Sequence, residues 1–149
     1  MVLTQKECDI LKDMRSQEEL CIKKYNKYAE EARCECLSEL FTEMAKQEGA
    51  HLCSINEMLA GKEPENPKPL NADNKYCKPC YDSDADKAND AFLCQDMLSM
   101  EKHVSSVYNT GVFEFRSPAM RKMLNHIQAE EQQHGEQIYA FMSANGMYC

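Results

Sequence analysis

Glu48-Gly49-Ala50-His51 and Glu131-Gln132-Gln133-His134 are two Glu-x-x-His pairs set eighty-three residues apart, each inside a strongly helical run. Residues three apart on a helix emerge from one face, so each pair aims a carboxylate and an imidazole in one direction. Glu18 stands thirty residues before Glu48, and Glu101 stands thirty before Glu131. The pattern Glu18, Glu48, His51 is thereby written again as Glu101, Glu131, His134. One Glu from each of two helices, with a Glu-x-x-His from each of two others, is the ligand plan of a dinuclear carboxylate site in a helix bundle. The expected fold is therefore all-α, with four helices turning these six side chains inward.

The rest of the chain supports four helices. Thr4-x-x-Glu7 reads as a capping box opening the first, whose apolar seam runs Leu11, Met14, Cys21, Tyr25, Tyr28 and Ala32 with Glu18 inside it. After a short turn at Cys34-Glu35-Cys36, the second helix is expected to begin near Leu37 or Ser38. Its seam is Phe41, Met44, Ile55 and Met58, and Glu48 and His51 fill the places between. Gly61 suits its C-terminus. The third helix is expected from Asp82 to Asp84 as far as Phe115, with Glu101 among Cys94, Met97, Val104 and Tyr108; Gly111 weakens it and permits close packing or a bend. Ser117-Pro118 is an N-cap followed by proline at the first helical position. The fourth seam is Met120, Leu124, Ile127, Ile138 and Phe141, with Glu131 and His134 inside it, and Asn145-Gly146 closes the helix.

Pro64, Pro67, Pro69 and Pro79 exclude regular helix between the pairs. The expected organisation is one domain, 1–149: a helix pair over 4–60, a crossover linker over 61–82 and a second pair over 83–144. A linker of that length can travel the length of a bundle and set the third helix parallel to the second. At the offset of eighty-three, Met14 falls on Met97, Tyr25 on Tyr108, Phe41 on Leu124 and Ile55 on Ile138, so packing residues repeat along with the polar ones.

Composition narrows the function classes. A formal net charge of -8 over 149 residues argues against a general binder of nucleic acid or anionic membranes. No segment approaches a membrane span, and Gln5, Lys6, Glu7 and Asp9 interrupt any apolar leader, so synthesis and first folding are expected in a cytosol. Ten methionines and no tryptophan suit a core filled by flexible thioethers. Nine cysteines, an odd number, argue against a complete internal disulfide framework. Cys34, Cys36, Cys77, Cys80 and Cys149 fall in expected turns, the linker or the tail, where thiols are either available to cross-link neighbours or are reactive surface groups without a role. Cys77-Lys-Pro-Cys80 is a single CxxC; a four-thiolate site would need Cys34 and Cys36 to fold against it.

A lone Glu-x-x-His is ordinarily a solvated helix face. Here six ionisable residues replace apolar ones in four seams. Packed without a cation, four carboxylates would repel or take up protons. Two divalent cations cancel four carboxylates while neutral imidazoles complete the coordination, and this mixture of oxygen and nitrogen donors suits iron or manganese, with zinc able to occupy it in vitro. Glu48 and Glu131, each sharing a helix with a histidine, are expected to bridge, and Glu18 and Glu101 to be terminal. Tyr25 and Tyr108, two turns past Glu18 and Glu101, are either hydrogen-bond donors or redox neighbours to the site or ordinary core aromatics. Glu19, Glu130, Glu136, His103 and His126 lie off the seams and are expected in solvent.

Three stretches carry a family resemblance: Ser16-Gln-Glu-Glu-Leu-Cys-Ile-Lys-Lys-Tyr-Asn-Lys-Tyr-Ala29, Met100-Glu-Lys-His-Val-Ser-Ser-Val-Tyr108 and Asn125-His-Ile-Gln-Ala-Glu-Glu-Gln-Gln-His-Gly-Glu136. On these the chain resembles the ferritin-like superfamily over nearly its full length, and within it the spore coat proteins of the coat F family. The resemblance implies a ferritin-like four-helix bundle with one long crossover between helices 2 and 3. It also implies synthesis in the mother cell and a place in the spore coat among other coat proteins; a homo-oligomer is expected as well. Rubrerythrins share the repeated Glu and Glu-x-x-His plan, but a shared fold does not by itself imply catalysis. It is the intact ligand set that allows an oxidoreductase of ferroxidase or peroxidase type acting on dioxygen or peroxide, with an iron-binding carrier without turnover as a third reading. This chain shows no rubredoxin-like module with two CxxC pairs, and no fifth-helix segment follows Gly146, so a built-in electron donor and a mineral-storing cage are not expected.

Overall fold

The computed structural model describes residues 1–71 and 81–148. Four long helices account for most of them: α1 (Gln5–Glu31), α2 (Glu35–Leu59), α3 (Asp84–Gly111) and α4 (Pro118–Ala144), with no strand among the described residues. None is long and apolar enough to cross a membrane.

The helix ends follow local chemistry. The Thr4 hydroxyl accepts the Glu7 N–H while the Glu7 carboxylate accepts the Thr4 N–H, a complete capping box. Ser83 and Ser117 cap α3 and α4 by accepting from Asp86 and Met120. Gly61 and Gly146 follow α2 and α4 at φ of 82° and 65°, the left-handed region that glycine enters without a Cβ clash.

Two boundaries differ from expectation. α2 begins at Glu35, two or three residues early, because Asp90 of α3 accepts the N–H groups of Arg33 and Cys34 and leaves the turn after α1 only a few residues long. The third helix stops at Gly111 and tightens into a 3-10 turn over Val112–Glu114, and Phe115 is extended. Gly111 is buried, and a Cβ there would meet Met14 Cε at 2.5 Å and Ile10 Cγ2 at 3.0 Å, so α3 comes close to α1 at this point.

α1 packs chiefly on α2 and α3 on α4. A single hydrophobic core draws on all four, including Leu11, Met14 and Tyr25 of α1, Phe41, Met44 and Ile55 of α2, Met97, Val104 and Tyr108 of α3, and Leu124, Ile127 and Ile138 of α4. Burying each such side chain stabilises the fold by about 2 kcal/mol. Tyr28 and Ala32, at the end of the first seam, are only partly buried; Tyr28 donates its hydroxyl to Asp96, which also pairs with Lys24. The first part of the linker runs beside α4, where Lys122 donates to the Asn66 side chain and Gln133 to the Asn71 carbonyl.

Candidate metal centre

The apolar seams carry Glu18, Glu48, His51, Glu101, Glu131 and His134 into the middle of the core, where none is more than 3% exposed. Two overlapping groups form. Glu18, Glu48, His51 and Glu131 each bring one donor atom to within 4.8 Å of the others, and so do Glu48, Glu101, Glu131 and His134. Glu48 and Glu131 belong to both.

The shared residues divide their oxygens between the groups. Glu48 places one carboxylate oxygen 3.1 Å from His51 Nδ1 and the other 2.9 Å from His134 Nδ1. Glu131 does the reverse, at 2.9 Å from His51 Nδ1 and 3.7 Å from His134 Nδ1. Glu18 lies on the His51 side at 3.7 Å, and Glu101 on the His134 side at 3.3 Å. Both imidazoles thus turn Nδ1 inward, and their rings stack with centroids 6.0 Å apart.

Two tyrosines brace the outer carboxylates across the helix pairs. Tyr108 of α3 donates its hydroxyl to Glu18 of α1 at 2.6 Å, and Tyr25 of α1 donates to Glu101 of α3. Burial and the surrounding carboxylates push both phenols well above the usual tyrosine range, so they remain protonated donors.

Without cations, protons must balance this charge. Burial and the adjacent Glu48 carboxylate push Glu18 up to about 8. Burial and Glu101 push Glu131 well above the carboxylate range, whereas Glu48 is held well below it because Glu18 and both imidazoles outweigh its burial. Burial opposes charging the histidines, but the carboxylates around them prevail and raise both well above the usual value. Even so, Glu18 Oε2, Glu101 Oε2, Glu131 Oε2 and His51 Nε2 have no hydrogen-bond partner among the described residues. Buried polar atoms are nearly always paired. Three inward carboxylate oxygens left unpaired, beside imidazoles with Nδ1 turned inward, are the donor set a cation would complete. The cluster could hold metal ions.

Some of the surroundings are not in the seams. Glu130 and His126, expected in solvent, are instead partly buried beside His51: Glu130 lies 3.6 Å from His51 Nε2 and 2.5 Å from His126 Nε2. On the opposite side His134 Nε2 donates to the Gln47 side-chain oxygen at 2.6 Å. Gln47 and Glu130 immediately precede Glu48 and Glu131, and that repeated position was the signal in the sequence. A cleft between α2 and α4 reaches this point, lined by Gln47, His51, His126 and Glu130, with Pro67 and Pro69 of the linker at its rim.

The cysteines need correction. Cys34 is not an exposed turn thiol; it is 2% exposed, drawn into the core where its backbone is held by Asp90. Cys36 is half-buried and disulfide-bonded. Cys21 and Cys94 lie in the core as expected, and burial raises both thiols, Cys94 to about 12. Cys53, on α2, is exposed. Cys77, Cys80 and Cys149 lie outside the described residues.

No curated protein and no solved structure matches the chain. The model of the Coat F domain matches residues 89–148, the stretch that supplies Glu101, Tyr108, Glu131 and His134, and over it the chain is similar to a domain whose name points to the spore coat.

Proposed function

We propose that this is a spore coat-associated protein with a ferritin-like four-helix bundle, its linker crossing between helices 2 and 3, that binds two divalent cations, iron or manganese, in its core. The observation that carries the metal reading is the division of Glu48 and Glu131, each offering one oxygen to either histidine side. Glu18 and His51 would complete one position, Glu101 and His134 the other. Tyr108 and Tyr25 orient the terminal carboxylates. The match to the Coat F domain supports the coat assignment. Association with other coat proteins would draw on the linker and tail thiols Cys77, Cys80 and Cys149, and self-association into a homo-oligomer belongs to the same reading.

Metal analysis of protein purified from cells supplemented with iron and manganese tests the centre. Two ions per chain are expected, and Glu48→Ala or His51→Ala should abolish binding while leaving most of the helix content. Unchanged stoichiometry in either variant refutes the assignment. Non-reducing electrophoresis of spore extracts tests the coat role; an exclusively monomeric band counts against thiol cross-linking.

The cleft that reaches His51 favours a second reading, a rubrerythrin-like oxidoreductase, because it offers dioxygen or peroxide a path to the core. Bound iron or manganese with open positions supplies Lewis acidity and redox chemistry toward such oxidants. The chain's own part is to hold the carboxylates by Tyr25 and Tyr108 and to keep bulk water from the centre with apolar packing. Aerobic oxidation of added Fe(II), or peroxide consumption by loaded protein, tests turnover, and inertness in both assays removes the enzyme.

A further inference from the structure

The two halves of the centre match in the residues that face inward but not in what stands behind each imidazole. At the offset of eighty-three residues Gln47 is the counterpart of Glu130, and Glu43 is the counterpart of His126. His134 therefore donates Nε2–H to a neutral amide at 2.6 Å. His51 has the Glu130 carboxylate 3.6 Å from Nε2, and the same oxygen, Oε1, is held by His126 Nε2 at 2.5 Å. Glu43 lines the same cleft but is exposed, and among the described residues its ion pair is a loose one with Lys46, at 3.9 Å.

An imidazole backed by a carboxylate is a stronger donor than one backed by an amide, and groups behind metal-bound histidines commonly change affinity by about 10- to 100-fold. From this geometry we infer that the two cation positions are unequal: the position of Glu18 and His51 fills first and more tightly, and Glu130 is the positioning residue that makes it so. The inference rests on the dinuclear reading above. Glu130 acts through His51 by its charge: its carboxylate faces Nε2 at 3.6 Å, and that nitrogen has no hydrogen-bond partner among the described residues. His126 keeps the carboxylate at the wall of the cleft instead of letting it swing into solvent.

Titration of metal-free protein with Co(II), followed by visible absorption and calorimetry, separates the two steps. Wild type should take up two ions with affinities about tenfold or more apart. Glu130→Gln, a near-isosteric change on a partly exposed surface, should weaken the first step by about tenfold and leave the second within twofold, with helix content unchanged. Gln47→Glu should tighten the second step and bring the two together. Two equal steps in wild type, or a first step unmoved by Glu130→Gln, overturns the inference while leaving the dinuclear centre intact. No Co(II) uptake by wild type overturns the centre itself.

Discussion

Two kinds of buried acid occur in this molecule. Asp90 is fully buried and Glu7 nearly so, yet both are satisfied by protein donors. Asp90 accepts from the Arg33 and Cys34 N–H groups, the Tyr81 hydroxyl and the Asn89 amide. Glu7 accepts from the N–H groups of Thr4 and Arg116 and from the Arg116 guanidinium. In the centre, Glu18, Glu101 and Glu131 are equally buried, but each keeps one oxygen without a partner among the described residues. Burial of an acid is therefore no sign of a ligand. What separates the groups is whether the chain itself supplies enough donors.

The strongest way to sharpen this contrast is to supply the cation. Loading metal to about a thousand times its dissociation constant stabilises the fold by about 4 kcal/mol, which for this size raises Tm by about 10 °C. Thermal unfolding with and without chelator reads it. Asp90→Ala comes next. Four donors would lose their acceptor, costing about 3 kcal/mol, while metal stoichiometry should stay at two; a loss of metal with little loss of stability would break the distinction. Glu18→Gln should behave oppositely, weakening metal binding at least tenfold while leaving the metal-free Tm at pH 7 unchanged or higher, since the amide resembles the protonated acid.

The contrast also has a pH signature of opposite sign at its two ends. Glu18, pushed up to about 8 from 4.5, binds its proton in the folded state across a range where the unfolded chain has released it. Metal-free protein should therefore lose stability as pH rises from 4.5 toward 8, and metal, by displacing protons, should reverse the trend. Glu7 runs the other way. Burial opposes its ionisation, but the Thr4 and Arg116 donors hold it down at about 2, so its contribution is complete above 4.5 and is lost as pH falls toward 2. Glu7→Gln should cost up to about 3 kcal/mol at pH 7, vanishing in acid. Urea unfolding across pH checks both windows.

Much of this was legible in the chain. The Thr4–Glu7 box, the Ser117-Pro118 start and the glycines after α2 and α4 are local chemistry and appear as read. The six polar interruptions of the seams meet in one place, because a residue in an apolar stripe goes wherever the stripe goes. Asp90 was not legible, because its partners lie in the turn after α1 and in the linker, far away in sequence. Glu130 and His126 were assigned to solvent because they stand off the stripe of α4, and a helix's own period says nothing about a cleft made by a neighbour. Cys34 was placed on the surface by the same limitation, as a turn residue whose cover is another helix.

Taken alone, the amino-acid sequence determined four helices, their caps, and the face of each that carries the carboxylates and imidazoles. All of these depend on bonds and periodicities within a few residues. Only the tertiary structure decided which oxygen of Glu48 meets which histidine, that Tyr25 and Tyr108 reach across to the opposite pair, and that an amide backs one imidazole and a carboxylate the other. Those relations depend on how far one helix slides and turns against another, which is set by the packing of the whole core at once.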